Sequence, residues 1–236
     1  MFKRMMIKMV TDVLHYYGLH IMRYYRIPQS NVNLLSIAIP SLIHTKNNLF
    51  FLQVGASDGV TNDPLNPIIN KYSSHLKGIC LEPLPNVFEK LVFNYSSYSE
   101  IKCENSALAD CDGDIFMYCP VIEDGSQKSS LQLQVVTKHG FSKIKKIKIK
   151  SISLPTLIEK YKITDIDILQ VDAEGYDYQV IRKVIDLGFL PSIIHFESLH
   201  LDKSEISASR AMLSEKGYLY VETSKDTLAV RNHLVF

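Results

Sequence analysis

Three carboxylates, Asp172, Glu174 and Asp177, crowd around a single glycine, Gly175, directly after an apolar strand over residues 166–171. Open α/β sheets place their chemistry just past the carboxyl ends of their strands, so this junction is the first place to look for a site. Asp172 and Glu174 have the chemistry to hold a cationic group, orient an acceptor hydroxyl, take its proton or ligate a divalent ion. The alternative for the pair is a helix N-cap arrangement. Asp177 falls in the first turn of the next helix, where a negative charge suits the helix dipole, and it reads as structural.

Two further strand ends carry chemistry. The run over 49–54 passes into Gly55-Ala56-Ser57-Asp58-Gly59, and the run over 78–81 ends in Glu82. The first loop is not G-x-G-x-x-G. Ser57 stands where a dinucleotide fold has its second glycine, and Pro64 and Pro67 delay the helix, which argues against NAD and FAD. Small residues at 55–57 would let a nucleoside or amino-acid portion approach the backbone; the alternative is an ordinary tight turn. Glu82 can accept hydrogen bonds from both ribose hydroxyls, or be a surface glutamate before Pro83. Ser106-Ala107-Leu108-Ala109-Asp110 follows a third strand and offers an adenine slot. Together these edges point to an enzyme with a nucleoside-bearing cofactor.

A fifth strand, over 191–196, leads to His195-Phe196-Glu197 and then Ser198-Leu199-His200. His195 and Glu197 share a face by strand periodicity. His200 is a candidate general base, because an unperturbed imidazole titrates near neutrality. A lone histidine is more often structural, and that reading stands beside the first.

Positioning these groups takes strands alternating with helices, the pattern of a parallel sheet. Helices are expected from Asp63-Pro64 or Asn66-Pro67 onward, over 85–94, 154–161, 176–187 and 204–216. Residues 101–105 and 115–119 read as strands, and Tyr218–Glu222 with Thr227–Arg231 as a closing hairpin with an antiparallel edge. Lys146–Lys150 alternates Lys and Ile. Its basic face suits an acidic acceptor or the protection of an edge strand, and its parity flip at Ser151 reads as a bulge or strand end. Residues 120–140 are the least regular stretch. Residues 1–26 read as a basic amphipathic helix ended by Pro28, packed on the domain or on another subunit, or resting on an anionic membrane surface.

The chain of 236 residues fits one large domain with a short extension, and its 46% hydrophobic content is ample for a core. A formal net charge of +1 gives no field that recruits nucleic acid. Cys80, Cys103, Cys111 and Cys119 form no C-x-x-C pair and read as reduced thiols. Lys8, Asp12 and His15 break any signal-peptide core, and no run is long enough to span a membrane, so a cytoplasmic location is expected.

Residues 51–64 (Phe-Leu-Gln-Val-Gly-Ala-Ser-Asp-Gly-Val-Thr-Asn-Asp-Pro), Leu81-Glu82-Pro83, residues 169–177 (Leu-Gln-Val-Asp-Ala-Glu-Gly-Tyr-Asp) and His195-Phe196-Glu197 resemble the FkbM-type methyltransferases. The resemblance spans roughly 49–222. It implies an α/β, Rossmann-like class I sheet, mostly parallel with an antiparallel edge strand. An N-terminal helical extension (1–45) would precede the methyltransferase domain (46–236). It implies S-adenosylmethionine as cofactor and mostly O-methylation of sugars, polyketides or similar acceptors. By motif matching, Gly55, Ala56, Ser57 and Asp58 line the methionine end, Glu82 holds the ribose, and Ser106 and Ala107 lie near the adenine. Gln53 stands where an acid is usual, and Gln53 and Asp63 join the cofactor set. Asp172 and Glu174 lie near the sulfonium and the acceptor. Asp172, Glu174 or His200 would be the base. A metal on Asp172 and Glu197 is the second-ranked route, since no metal-specific spacing requires one. The expected partner is a small-molecule or glycan acceptor, with a homo-oligomer open. Competing readings are a non-catalytic binding module on the same fold and, disfavoured by the glycine pattern, an NAD-linked oxidoreductase.

Overall fold

The computed structural model describes residues 33–121, 128–138, 140–141 and 143–231. The helix expected over 1–26 lies outside the described residues. Seven strands form the main sheet: β1 (Leu49–Val54), β2 (Leu76–Leu81), β3 (Ile101–Glu104), β7 (Ile168–Val171), β8 (Ile193–Glu197), β9 (Tyr218–Glu222) and β10 (Asp226–Arg231). Their order is β3-β2-β1-β7-β8-β10-β9. β10 alone runs antiparallel to both neighbours, so the closing hairpin exists but its second strand inserts inside its first. β7 lies at the centre and is buried along its whole length, as its apolar sequence requires.

Helices cover both faces. α1 (Leu35–Thr45) buries Leu35, Ile39 and Leu42 in one core with Leu49, Phe51, Ile168 and Ile193, despite carrying Pro40 inside it. α2 (Asn66–Tyr72) starts with Pro67 in its first turn, where the missing N–H costs nothing. α3 (Pro85–Asn94), α5 (Leu154–Tyr161), α6 (Asp177–Asp186) and α7 (Lys203–Glu215) fall within a residue or so of the expected helices. α7 opens with a full capping box: the Asp202 carboxylate accepts from Ser204 and Glu205 N–H, and the Glu205 carboxylate accepts from Asp202 N–H. On the other side of the sheet, Val180, Ile181, Val184 and Ile185 of α6 meet Leu52, Leu169 and Ile194.

A second sheet is the main departure from the sequence reading. β4 (Ala107–Ala109), β6 (Ile144–Ser153) and β5 (Gly113–Pro120) form a three-stranded unit in the order β4-β6-β5. The small residues read as an adenine slot are therefore partly a short strand. β6 neither bulges nor ends at Ser151. It changes partner there, pairing with Gly113 of β5 on one side and Ala107 of β4 on the other. Beyond that point both its faces are buried, which explains the lost alternation. β6 meets β4 only from Ser151 to Ser153; over Lys146–Lys150 it pairs with β5 alone among the described residues, so its lysines do lie along an open edge. Lys148 and Lys150 pair with Asp114, and Lys146 lies over the Phe116 and Tyr118 rings. These residues face one another across the β5–β6 ladder, a packing that leaves the basic face internally balanced. α4 (Leu133–Lys138) follows β5 and gives partial order to the stretch read as irregular.

Candidate active site at the strand ends

Register brings the chemistry to one edge. Val54 pairs with Leu81 on one side and Val171 on the other, and Val171 pairs with Phe196. Gly55, Glu82, Asp172 and Glu197 thus leave four adjacent strands at the same level. The loops are stitched together: Gly55 and Ala56 N–H donate to Leu81 O at 3.0 and 2.9 Å, and Asp172 N–H donates to Val54 O at 2.9 Å. Gly55 has φ +82°, and a Cβ there would stand 1.9 Å from Asp172 O. Only glycine allows this approach.

Glu82 is 6% exposed. Its Oε2 accepts Ser57 N–H at 3.0 Å and its Oε1 accepts Leu84 N–H at 2.8 Å. Each oxygen keeps a lone pair for a further donor. Gln53 is buried, donating from Nε2 to Asp63 Oδ1 at 2.9 Å and accepting from the Cys80 thiol. Asp63 also accepts Leu65 N–H and the Tyr95 hydroxyl. A carboxylate is therefore present beside the first strand end after all, delivered from the loop and held by Gln53.

The acidic loop after β7 is built by Asp177. That residue is fully buried, and its carboxylate accepts the N–H groups of Ala173 and Gly175. It folds the loop that presents Asp172 and Glu174, a larger structural task than dipole compensation alone. The residues before α4 clamp the same loop, with the Ser130 hydroxyl donating to Glu174 O and Gln132 Nε2 to Gly175 O. His200 Nε2 stands 3.4 Å from both Glu174 Oε2 and Glu197 Oε2. His195 is buried away from these acids, its Nδ1 2.6 Å from Gln170 Oε1.

These groups surround a cavity of about 440 Å³, within the usual range for small-molecule sites, roughly 300–1,000 Å³. Gln53, Gly55, Ala56, Ser57, Asp63, Glu82, Ser106, Ala107, Asp172 and Glu174 all line it. Asp58 does not; it caps its own turn, accepting from Val60 and Thr61 N–H and from the Thr61 hydroxyl. His200 lies outside the lining, against Glu174 and Glu197. Sequence reasoning missed Met117, Ser129 and Leu131, the wall given by the second sheet and its appendage, and Asp226 from the closing hairpin. It also missed Gln170, whose signal was an uncharged polar residue inside a buried strand.

The family model described as Methyltransferase FkbM domain matches residues 53–220, well over half the chain. The chain belongs to the FkbM methyltransferase family. Among solved structures, the methyltransferase FkbM from Methylobacillus flagellatus KT has a TM-score of 0.50 at 11% identity, covering 78% of this chain and 44% of that one. The chain thus spans less than half of that protein's length. Precorrin-6y C5,15-methyltransferase from Geobacter metallireducens GS-15 gives a TM-score of 0.46 at 10% identity, over 90% of this chain and 95% of that one. Aeropyrum pernix fibrillarin, in complex with natively bound S-adenosyl-L-methionine, gives 0.41 at 12%, over 78% and 67%. No curated protein matches the chain. S-adenosylmethionine is the cofactor of the FkbM family. No helix among the described residues is long and apolar enough to cross a membrane.

The FkbM-family site is strongly acidic. Asp63, Glu82, Asp172, Glu174, Glu197 and Asp226 line the cavity with Lys225. Asp172 is enclosed by protein mass yet open to the cavity, and burial followed by the charges of Asp226 and Asp63 holds its carboxyl above the usual range. Burial, then Asp172, raises Glu174 to about 8. Such a site has an unmet demand for positive charge, which suits a cationic ligand.

A pH dependence follows from two buried carboxyls, Glu82 and Asp177. Burial raises Glu82 to about 7 and Asp177 to about 7, while burial lowers His195 to about 4. Between about pH 5.5 and about pH 8 the folded chain holds carboxyl protons that the unfolded chain has released, so stability falls as pH rises. His195 opposes this below about 6.5 but is one group against two. Without ligand, the protein is expected to be more stable at about pH 5.5 than at about pH 8, by on the order of 2 kcal/mol. Thermal melts at fixed ionic strength test it. Asp177→Asn should flatten the slope, and a melting point that climbs with pH would contradict the assignment.

Proposed function

We propose that the chain transfers the methyl group of S-adenosylmethionine to a hydroxyl of a sugar, glycolipid or secondary metabolite. The observation that carries this reading is the convergence of Glu82 and Asp172 on one cavity beside Gly55, whose missing side chain leaves the backbone bare. Bound there, S-adenosylmethionine supplies a methyl carbon already activated by positive sulfur.

The residues divide the remaining work. The free lone pairs of Glu82 receive the two ribose hydroxyls. Asp63, oriented by Gln53 and Tyr95, faces the amino group, replacing the acid usual at position 53. Ser106 and Ala107 bound the adenine. Asp172 and Glu174 hold the acceptor hydroxyl in line with the methyl group and receive its proton. A new O–C bond forms as the S–C bond breaks, and the neutral thioether product loses the attraction of the acids. A raised carboxyl is a better base than an ordinary one whenever it is ionised. Alignment at about 3–3.5 Å and exclusion of water supply much of the rate.

Calorimetry with S-adenosylhomocysteine is the first test. Binding is expected, and Glu82→Ala should weaken it about 100-fold or more, the worth of two hydrogen bonds to a charged acceptor. The chemistry is tested by incubating extract with the enzyme and methyl-labelled cofactor. Label in a base-stable ether supports O-methylation, and no labelled product from a broad acceptor panel counts against catalysis.

A further inference from the structure

Glu174, Glu197 and His200 reach one point from three places: the loop after β7, the last residue of β8, and the segment beyond it. Each offers one ligand atom, and the three atoms lie within 4.8 Å of one another. We propose that these three side chains bind a divalent transition-metal ion at the acceptor side of the cavity. Its binding stands on geometry alone; its catalytic role rests on the methyltransferase reading above.

Several observations agree. Glu197 Oε2 is closed to solvent and accepts no hydrogen bond among the described residues, an arrangement that costs free energy unless something positive meets it. The Glu174 and Glu197 side chains are only 17% and 16% exposed, and the oxygens of both face the same imidazole nitrogen. Two such carboxylates ionise together only beside a strong counter-charge. The backbone also makes room: a Cβ on Gly175 would lie 2.9 Å from Val135 Cγ2 and 3.6 Å from His200 Cβ. The tight contact is with Val135, so glycine there lets α4 close on the acidic loop.

The donor set indicates the ion. Calcium and magnesium take all-oxygen sets, and thiolate-loving ions take cysteine. Two carboxylate oxygens and an imidazole nitrogen suit Mn²⁺ or Zn²⁺. Three protein ligands leave coordination positions open, as catalytic sites do. Glu174 and Glu197 both line the cavity, so those positions face the acceptor. An acceptor hydroxyl bound there becomes more acidic. With Glu174 engaged as a ligand, Asp172 takes the proton.

The alternative is a protonated His200 bridging two carboxylates with no ion. Electron paramagnetic resonance separates them, using full-length protein stripped with chelator and titrated with Mn²⁺, then with Zn²⁺ as competitor. One Mn²⁺ per chain at micromolar affinity is expected, displaced by Zn²⁺ and weakened roughly 10-fold or more in Glu197→Gln and in His200→Gln. S-adenosylhomocysteine binding is measured on each protein as a check of folding. No bound Mn²⁺ or Zn²⁺ at millimolar concentration overturns the site, as does undiminished binding in whichever variants still bind S-adenosylhomocysteine. Failure of the parent to bind S-adenosylhomocysteine would instead sink the methyltransferase reading and leave the metal titration interpretable.

Discussion

Gly55→Ala is expected to melt far below the parent protein and to lose binding of S-adenosylhomocysteine. The new methyl would sit 1.9 Å from Asp172 O, a backbone atom in a loop tied to β1 by the Asp172 N–H to Val54 O bond. Nothing flexible can move aside. Relief requires the ends of β1 and β7 to separate, and with them the walls that meet the cofactor in the proposed reading. The expected loss is roughly 3–5 kcal/mol, the range of a severe core lesion. Gly188→Ala is the control. It has a similar backbone angle, φ +89°, with no atom within 4 Å of the added carbon. It should cost only the left-handed penalty, about 1 kcal/mol. Equal melting points for the two variants would show that the strand ends are not closely apposed.

Asp172→Asn should separate donor from product. The amide keeps the volume and some hydrogen bonding but removes the charge. Binding of cationic S-adenosylmethionine should fall about 10- to 100-fold, the worth of a hydrogen bond to a charged group, while neutral S-adenosylhomocysteine loses much less. Turnover should fall further, because in the proposed reaction Asp172 also receives the acceptor's proton. Calorimetry with both ligands on parent and variant decides it. A uniform loss would place Asp172 against a part of the cofactor common to both, such as the ribose.

The edge chemistry was legible in sequence because it is local. A glycine pair after an apolar run, a glutamate before proline and acids after a buried strand each announce themselves within a few residues. Register then does the rest, since parallel strands of similar length end together. Two kinds of feature were not legible. β4 is only three residues long and shares no local pattern with β6, so its pairing depends on contacts formed across 44 residues of chain, from Ala107 to Ser151. The motif match places Asp63 in the cofactor set, but its pairing with Gln53, ten residues earlier, was not legible, because only the folded loop brings the two within hydrogen-bonding distance. Asp58, by contrast, matched the motif but spends its carboxylate on its own turn.

The second sheet shares no strand with the first; β6 passes from β5 to β4 at Ser151, β4 brings Ala107 and Leu108 to the cavity, and the rest of the sheet with its appendage forms one further wall. That wall is chemically plain, made by Met117, Ser129 and Leu131. Under the proposed function, substitutions at Met117, Ser129 or Leu131 would alter acceptor choice alone, whereas those at Ala107 of β4 would also disturb the donor's adenine.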